Sequence, residues 1–342
     1  MTSAGANAMR KLYIHCGLAK TGTTSLQVYF SRHKADLNDL SFDYPAIGLN
    51  LPADAHHNLA LGIQRHARFK PSSGSVDDLL DYLRGPERAP NVVISSEAFA
   101  VCLANGDAQE RFFDFLRKAG KANDEVFVLF TFRAFWRSVE SKYLAQLNRG
   151  MPDRTLEFQV ERSKRWYANF FAQLAALRDV VGANGVIGLD VEHAFPDSIS
   201  AMLAAVGIEK GCLPQWQWSQ NSNARLSLKK AAFLYQFQFA ADGVHKGRSK
   251  KDVAALARAL KQLPSFSNDE PEYHVVSFER ANEIQDFCRA QLPPFLSVCL
   301  KKLTERESVP FHAAILADVK LSGDEVQSIH DVMRAAYPFI CS

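Results

Sequence analysis

The sequence lacks the features that mark several classes of protein by composition alone. No window approaches about 18 consecutive apolar residues, and the first dozen residues lack the apolar stretch of a signal peptide. The six cysteines are scattered without a C-x-x-C pair, which disfavours a disulfide framework or a zinc site. A net charge of +3 is too small to predict a nucleic-acid-binding protein. We therefore expect a cytoplasmic protein without a membrane span, in which residues 1–9 form a flexible leader.

What the sequence contains is a regular alternation of apolar runs and helical stretches. Alternation of this kind predicts an α/β fold in which helices flank a parallel sheet. We expect this domain over 10–240, with an insertion at about 37–90 on the acceptor side of the sheet. Residues 241–342 are expected to be a helical C-terminal extension packed on the same domain. The runs that predict buried strands are LYIHC (12–16), NVVISS (91–96), VFVLFTF (126–132) and GVIGLDV (185–191).

The first run leads into GLAKTGTTS (17–25), a glycine-containing loop before a predicted helix. Gly17 and Gly22 have the spacing of the two glycines in the phosphate-binding motif G-x-x-x-x-G-K-[ST]. That motif requires lysine where Thr23 stands, whereas the only lysine of the loop, Lys20, lies three positions earlier. The loop is therefore not that of a nucleotide triphosphatase.

A strand, a glycine loop and a helix that opens on hydroxyl side chains still make an anion site. The backbone amides of residues 21–25 are expected to point outward at the helix start, where the helix dipole favours negative charge. Thr23, Thr24 and Ser25 add hydroxyl donors. The alternative is an ordinary serine or threonine helix cap with Lys20 exposed to solvent.

The run Lys20–Ser25 resembles the 5′-phosphosulfate loop of sulfotransferases that use 3′-phosphoadenosine 5′-phosphosulfate (PAPS). The resemblance implies a P-loop NTPase-like sulfotransferase fold and assigns Lys20, Thr21, Gly22, Thr23, Thr24 and Ser25 to PAPS binding. It also implies that Lys20 is catalytic, stabilising charge on the leaving phosphate, and that no metal is required. Ala19 stands where many members of the family have proline, which changes the stiffness of the loop but not its donors.

A second element of the same family is an arginine that ends a later strand, followed by a serine in the next helix. TFRAFWRSVES supplies Arg133 and Ser141 at the family's spacing of eight positions. The resemblance assigns both residues to the 3′-phosphate of PAPS, and a guanidinium suits a phosphate dianion. Arg137 and Ser138 are competing candidates in the same stretch. In a less specific form the resemblance extends over about residues 10–240.

Transfer to a hydroxyl acceptor also benefits from a general base. The best candidate is Glu97, at the carboxyl end of the run VVISSE, where members of the family use a glutamate or a histidine. The alternative for Glu97 is a carboxylate favoured only by a helix dipole. His57 is the second candidate base, with its neighbour His56, whereas His15 lies within the first strand and is expected in the core.

These assignments lead to one preferred function and two alternatives. The preferred function is in-line transfer of the sulfuryl group of PAPS to an acceptor hydroxyl, with a glycan or glycolipid expected as the acceptor by family analogy. The alternatives are a P-loop kinase of small molecules and a catalytically silent nucleotide-binding protein. The kinase would need a lysine in place of Thr23 and an acidic group for magnesium.

Overall fold

The structure of the chain is a computed structural model. It describes residues 9–18, 21–50, 54–150, 155–191, 198–209, 211–213, 227–239, 250–262, 274–297, 300 and 320–336. Among these residues, no helix combines the length and the apolar character needed to cross a membrane.

The sheet has five strands, all parallel, in the order β2-β3-β1-β4-β5. This arrangement confirms the predicted α/β fold and is consistent with a P-loop-like fold. The central strand β1 lies between β3 and β4, so the chain switches from one side of β1 to the other. Open α/β sheets bind ligands at the carboxyl ends of the strands at such a switch point. The strands are β1 (Lys11–His15), β2 (Phe42–Asp43), β3 (Asn91–Ser95), β4 (Glu125–Phe132) and β5 (Val186–Asp190).

The helices follow the strands as the alternation predicts, and helices also occupy the C-terminal part of the chain. A short 3-10 helix, Pro71–Ser73, interrupts the connection between β2 and β3. The helices are α1 (Thr23–Arg32), α2 (Lys34–Asp39), α3 (His57–Ile63), α4 (Val76–Arg84), α5 (Ala98–Leu103), α6 (Gly106–Gly120), α7 (Phe135–Leu147), α8 (Leu156–Val181), α9 (Ser198–Ala205), α10 (Leu228–Phe239), α11 (Lys250–Gln262), α12 (Phe278–Gln291), α13 (Pro294–Ser297) and α14 (Gly323–Ala336).

Four of the strands are the four apolar runs, but β2 was not predicted. It has only two residues, Phe42 and Asp43, which pair with Asn91 and Val92 of β3. A strand of this length has no periodicity to detect, because it is defined by its pairing with β3 and not by its own composition. The segment 37–90 therefore supplies an edge strand of the sheet as well as α3 and α4.

The two faces of the sheet are covered by different helices because side chains alternate along each strand. On one face, Leu129 of β4 belongs to an apolar cluster with residues of α1 and α9, including Phe30 and Met202. On the other face, Phe130 of β4 packs edge-on against Phe170 of α8, with ring centroids 5.1 Å apart. Helices thus cover both faces of the sheet. A binding site is therefore expected at the ends of the strands, where the side chains are polar.

The chain divides into two compact units. One comprises Met1–Phe135, Lys164–Gln217 and Phe287–Glu305 and contains the sheet, and the other comprises Trp136–Ser163, Trp218–Asp286 and Arg306–Ser342. The predicted domain boundary near residue 240 stays a prediction. The second unit has its own core, to which α7, α10, α11 and α14 contribute Tyr143, Leu144, Leu147, Ala231, Ala232, Leu234, Val253, Leu256, Ala257, Leu260 and Ile329.

Candidate active site at the carboxyl end of the sheet

The loop after β1 leaves the sheet alongside β4. The amide of Cys16 donates to the carbonyl of Leu129 at 2.8 Å, and the amide of Leu18 donates to the carbonyl of Thr131 at 3.3 Å. These bonds continue the parallel pairing beyond His15, the last residue of β1. The loop is therefore held against the strand that ends next to Arg133.

Both glycines of the loop are required by its geometry. Gly17 lies so close to α1 that a Cβ there would overlap Thr23 Cγ2 and approach Thr131 Oγ1 to 3.0 Å. Gly22 has φ +80°, a left-handed conformation that glycine adopts without steric cost, and directly precedes Thr23, the first residue of α1. The glycine spacing found in the sequence thus corresponds to one close approach and one sharp turn.

The start of α1 has the character of an anion site. Gly22 has no side chain with which to cap the helix, and the Ser25 amide donates to the Gly22 carbonyl at 3.1 Å. The first amides of an α-helix have no partner within the helix, and the helix dipole favours negative charge there. Thr23 is buried, whereas Thr24 is exposed and Ser25 is half-buried. Lys20 lies outside the described residues.

Thr21 contributes to the loop differently from the other hydroxyl residues. Its Oγ1 donates to the carbonyl oxygen of Leu18 at 2.6 Å and lies 2.9 Å from Thr131 Oγ1. Since a hydroxyl has a single proton, the side chain of Thr21 has none left to donate to a ligand. If Thr21 binds an anion, it does so through its backbone amide.

Glu97 lies at the carboxyl end of β3, next to α1. Its Oε2 accepts a hydrogen bond from Gln27 Nε2 of α1 at 3.1 Å, and the side chain is 34% exposed. Although Glu97 precedes α5, its carboxylate makes no capping hydrogen bond to that helix. The carboxylate is thus oriented by α1 and partly exposed, whereas its interpretation as a carboxylate favoured only by the helix dipole stays open.

His57, the other candidate base, is next to Glu97. Its Nε2 lies 3.8 Å from Glu97 Oε1, its Nδ1 lies 2.7 Å from Ser96 Oγ, and the ring is 22% exposed. Ser96 is fully buried, and its hydroxyl accepts from the Ala98 amide at 3.1 Å. Within the described part of the chain, His57 Nδ1 is the acceptor that remains for the Ser96 proton. A neutral His57 therefore carries its own proton on Nε2, the atom that points at Glu97.

His56 differs from its neighbour His57 in its burial and in its hydrogen-bond partners. The ring is fully buried; the Ser95 amide donates to Nδ1 at 3.1 Å, and Nε2 donates to the carbonyl of Pro45 at 2.9 Å. Burial lowers the pKa of His56 to about 3, so the ring is neutral and both nitrogens are in use. His56 fixes the start of α3 against β3 and has no lone pair for a substrate proton.

Beneath the loop and Glu97 lies a group of polar side chains that sequence reasoning did not identify as connected. Ser95 Oγ lies 2.8 Å from His15 Nδ1, and Thr131 Oγ1 lies 3.2 Å from His15 Nε2. Gln27 Nε2 donates to Ser95 Oγ at 3.2 Å. The available signal was the polar residue near the end of each of three apolar strands, together with a glutamine on the apolar face of α1.

Arg133 and Ser141, the residues predicted to bind the 3′-phosphate, both lie after the end of β4. Arg133 directly follows β4, two residues after the Thr131 carbonyl to which the loop is bonded. Ser141 lies within α7. Of the competing residues, Ser138 is buried, and the guanidinium of Arg137 lies over the Trp136 ring, 4.8 Å from its centroid. The assignment of Arg133 and Ser141 to a phosphate stays a prediction.

Comparison of the chain with models of protein families, with curated proteins and with solved structures finds no match. A proposal about function therefore depends on the arrangement of the residues at the carboxyl end of the sheet and on the motifs in the sequence.

Proposed function

We propose that the protein is a sulfotransferase that moves the sulfuryl group of PAPS to an acceptor hydroxyl. The observation that carries the proposal is the position of two features at one edge of the sheet. A glycine loop that opens α1 follows the central strand, and a partly exposed carboxylate, Glu97, lies just after the end of the neighbouring strand β3. Gln27 of α1 connects them by donating to Glu97 at 3.1 Å.

The donors of the loop fit a phosphosulfate. The uncapped first turn of α1 presents backbone amides, and Thr23, Thr24 and Ser25 add hydroxyls, a donor set that suits several anionic oxygens at once. Lys20 supplies the positive charge, and the resemblance to PAPS-dependent enzymes assigns it to the leaving phosphate. Arg133 follows the strand that contacts the loop, which supports its assignment to the 3′-phosphate.

PAPS supplies an activated sulfuryl group, and the protein positions it and stabilises charge, as in phosphoryl transfer. The acceptor oxygen bonds to sulfur as the bond from sulfur to the phosphate oxygen breaks. Lys20 and the amides of α1 stabilise the negative charge that builds on the phosphate. Sulfate carries less charge than a terminal phosphate, so these donors suffice without a metal ion.

Glu97 is the base of the proposed reaction, and His57 orients it. The carboxylate takes the proton of the acceptor hydroxyl as the new bond forms. His57 has its proton on Nε2, facing Glu97 at 3.8 Å, and its Nδ1 is engaged with Ser96. In this state the ring has no free lone pair, so it cannot accept the substrate proton. It acts on Glu97 only as an N–H donor, and that hydrogen bond requires a closer approach than the 3.8 Å of this structure.

The acceptor is a hydroxyl compound, and the proposal names a glycan or glycolipid by analogy with the family. Residues of the connection between β2 and β3 reach the site, since the His56 amide donates to the Ser95 carbonyl at 2.8 Å. This connection contributes His57 itself. It is therefore the part of the chain where we expect acceptor selectivity to be encoded.

Titration calorimetry with adenosine 3′,5′-bisphosphate in EDTA tests the cofactor assignment. We expect micromolar binding to the wild-type protein and about 100-fold weaker binding to Arg133→Ala, because a charge-assisted phosphate contact is lost. Arg137→Ala is the matched control, since that guanidinium lies over Trp136 in the same stretch of chain. Loss of binding in Arg137→Ala instead would transfer the 3′-phosphate role to Arg137.

A transfer assay with labelled PAPS and a panel of glycans then tests the reaction. Turnover that requires Glu97 supports the sulfotransferase. Nucleotide binding without transfer to any acceptor, and without slow hydrolysis of PAPS, would instead indicate a silent binding protein. Magnesium-dependent binding and turnover of ATP, with no binding of the bisphosphate, would overturn the proposal in favour of a small-molecule kinase.

A further inference from the structure

We propose that Gln27 is a positioning residue of this reaction, held by a buried hydrogen-bond chain that runs through Ser95, His15 and Thr131 to the loop. The inference rests on the proposed function, because it concerns how Glu97 is kept in place to accept a proton. It goes beyond that function in assigning a role to four side chains that the resemblance assigns to neither PAPS nor the acceptor.

The direction of each hydrogen bond can be deduced from the loop end of the chain. A carbonyl oxygen only accepts, so the Thr21 hydroxyl donates to Leu18 O at 2.6 Å. With its single proton in use, Thr21 must accept from Thr131, 2.9 Å away. Thr131 has then used its own proton and must accept from His15 Nε2 at 3.2 Å.

The Glu97 end of the chain fixes the orientation of the Gln27 amide. An ionised carboxylate only accepts, so the group of Gln27 that faces Glu97 Oε2 at 3.1 Å is the amide nitrogen. The other hydrogen of this nitrogen is donated to Ser95 Oγ at 3.2 Å. Ser95 Oγ has a second lone pair and Tyr44 as a further side-chain hydrogen-bond partner, so the direction of its contact with His15 Nδ1 at 2.8 Å is set by His15.

The loop end fixes the tautomer of His15. Nε2 carries the proton that Thr131 accepts, so Nδ1 of the neutral ring is an acceptor and Ser95 donates to it at 2.8 Å. A single neutral tautomer thus satisfies the whole chain. Burial lowers the pKa of His15 to about 3, which keeps the ring neutral at ordinary pH. A protonated ring would present a second donor to Ser95 and break the chain at its centre.

The chain leaves Gln27 one orientation. Its side chain is 1% exposed, and both hydrogens of its amide nitrogen are in use. Rotation of the amide would leave buried donors without acceptors, which is costly. Oε2 of Glu97 is thus held by Gln27, and Oε1, which faces His57 Nε2 at 3.8 Å, is the oxygen left to take the acceptor proton.

The direct test is Gln27→Met, which keeps the size and apolar contacts of the side chain but removes the donor. We expect turnover to fall by about 10- to 100-fold, because the base is no longer oriented. The affinity for adenosine 3′,5′-bisphosphate should change by less than about twofold, since the hydrogen bonds of the Gln27 amide nitrogen go to Glu97 and Ser95. Unchanged turnover in a folded Gln27→Met protein that binds the nucleotide would overturn the inference.

A second pair of variants perturbs the chain without touching Glu97 or Gln27. Thr131→Val removes the hydroxyl that accepts from His15, and we expect about threefold lower turnover or more, which Thr131→Ser should restore. Ser163→Ala is a matched control, because Ser163 is also buried and accepts from a glutamine amide, that of Gln159, at 2.9 Å. Equal losses of turnover in the control and in Thr131→Val would indicate general destabilisation and contradict the inference.

Nitrogen NMR of the His15 ring separates the inference from the proposed function. We expect the Nε2-protonated neutral tautomer in the wild-type protein, and a changed tautomer population in Thr131→Val and Ser95→Ala. If the wild-type protein fails to bind the bisphosphate, the sulfotransferase proposal falls while this result still tests the chain. A mixture of tautomers in the wild-type protein would overturn the chain whatever the activity, and so would an Nδ1-protonated ring.

Discussion

The carboxyl end of the sheet has polar side chains at two depths, and the two groups differ in their exposure to solvent and in their hydrogen bonding within the protein. The buried layer, formed by His15, Ser95, Thr131 and His56, is shielded from solvent, and its hydrogen bonds are made within the protein. The rim pair, His57 and Glu97, is 22% and 34% exposed, and His57 Nε2 lies 3.8 Å from Glu97 Oε1. The two histidines His56 and His57 are neighbours in sequence but fall on opposite sides of this division.

The difference indicates which groups can take part in chemistry. A buried imidazole with both nitrogens engaged cannot accept a substrate proton without breaking the bonds that hold it, so the buried layer can only orient. A carboxylate with one oxygen held and the other accessible can accept a proton and release it to solvent. Variants of the rim should therefore lower turnover with little loss of stability, whereas variants of the buried layer should lower stability and affect turnover only through the orientation of Glu97.

The largest effect on turnover should come from the rim. Glu97→Gln keeps the shape of the side chain but removes the base, and we expect turnover to fall by about 10²- to 10⁴-fold. Nucleotide affinity and thermal stability should change little, because the carboxylate is partly exposed and does not cap α5. Initial rates with labelled PAPS and a thermal melt measure both. Glu110→Gln, on the exposed face of α6, is the control.

A smaller loss than about tenfold in Glu97→Gln would remove this residue as the base. If His57 variants then lowered turnover more than Glu97→Gln, His57 would be the base and Glu97 the residue that orients it. The base would still belong to the rim pair and not to the buried layer. If neither variant lowered turnover, the rim pair would not be the site of proton transfer.

The largest effect on stability should come from the floor of the loop. Gly17→Ala places a methyl group against Thr23 Cγ2 and about 3.0 Å from both His15 Nε2 and Thr131 Oγ1. Overpacking of this kind costs about 1–3 kcal/mol, so we expect a lower free energy of unfolding in urea and loss of bisphosphate binding. Gly120→Ala, at the end of α6, is the control, because a Cβ there meets nothing within 4 Å. Equal stability in the two variants would mean that the loop does not pack against α1 as described.

The sequence was sufficient to predict the strands and the loop that form the site, but not the contacts between its side chains. The four long strands and the loop after β1 were predicted because runs of buried apolar residues and the spacing of Gly17 and Gly22 are local patterns. Glu97 and His57 were proposed as alternatives, and no local pattern indicates that they lie 3.8 Å apart.

The chain through His15 could not be predicted for the same physical reason. Its members come from positions far apart in the sequence: His15 and Thr131 are separated by 116 residues, and Gln27 and Glu97 by 70. Strand order decides which of them meet: β1 lies between β3 and β4, and the apolar runs do not reveal that order. A polar residue at a strand end indicates a site, but its partner is known only once the sheet is assembled.

The pH dependence of stability tests the buried layer. Burial lowers the pKa values of His15 and His56 to about 3, from an ordinary value of 6.5. Between these values the unfolded chain binds protons that the folded chain does not, so the free energy of unfolding should fall as the pH drops below 6.5. Each ring contributes at most about 1.4 kcal/mol per pH unit.

Urea denaturation between about pH 7 and 5 measures this slope in a range above the ordinary pKa values of aspartate and glutamate. His56→Asn keeps an acceptor for the Ser95 amide but cannot titrate, so its slope should be smaller than that of the wild-type protein by the contribution of one ring. An unchanged slope in this variant would show that His56 is protonated in the folded protein. It would contradict the assignment of His56 to the buried layer as a neutral ring.

The smallest expected effect separates the two roles proposed for the rim histidine. His57→Gln can place an amide nitrogen near the position of Nε2 and still donate toward Glu97, whereas His57→Asn keeps only the acceptor that faces Ser96 Oγ. If His57 orients the carboxylate, His57→Asn should lower turnover about tenfold and His57→Gln by less than about threefold. Neither amide can act as a base, so a base at His57 would instead make both variants lose about 10²-fold or more. The ratio of the two turnover numbers, measured with labelled PAPS at saturating acceptor, therefore distinguishes the roles even when both variants are less active than the wild-type protein.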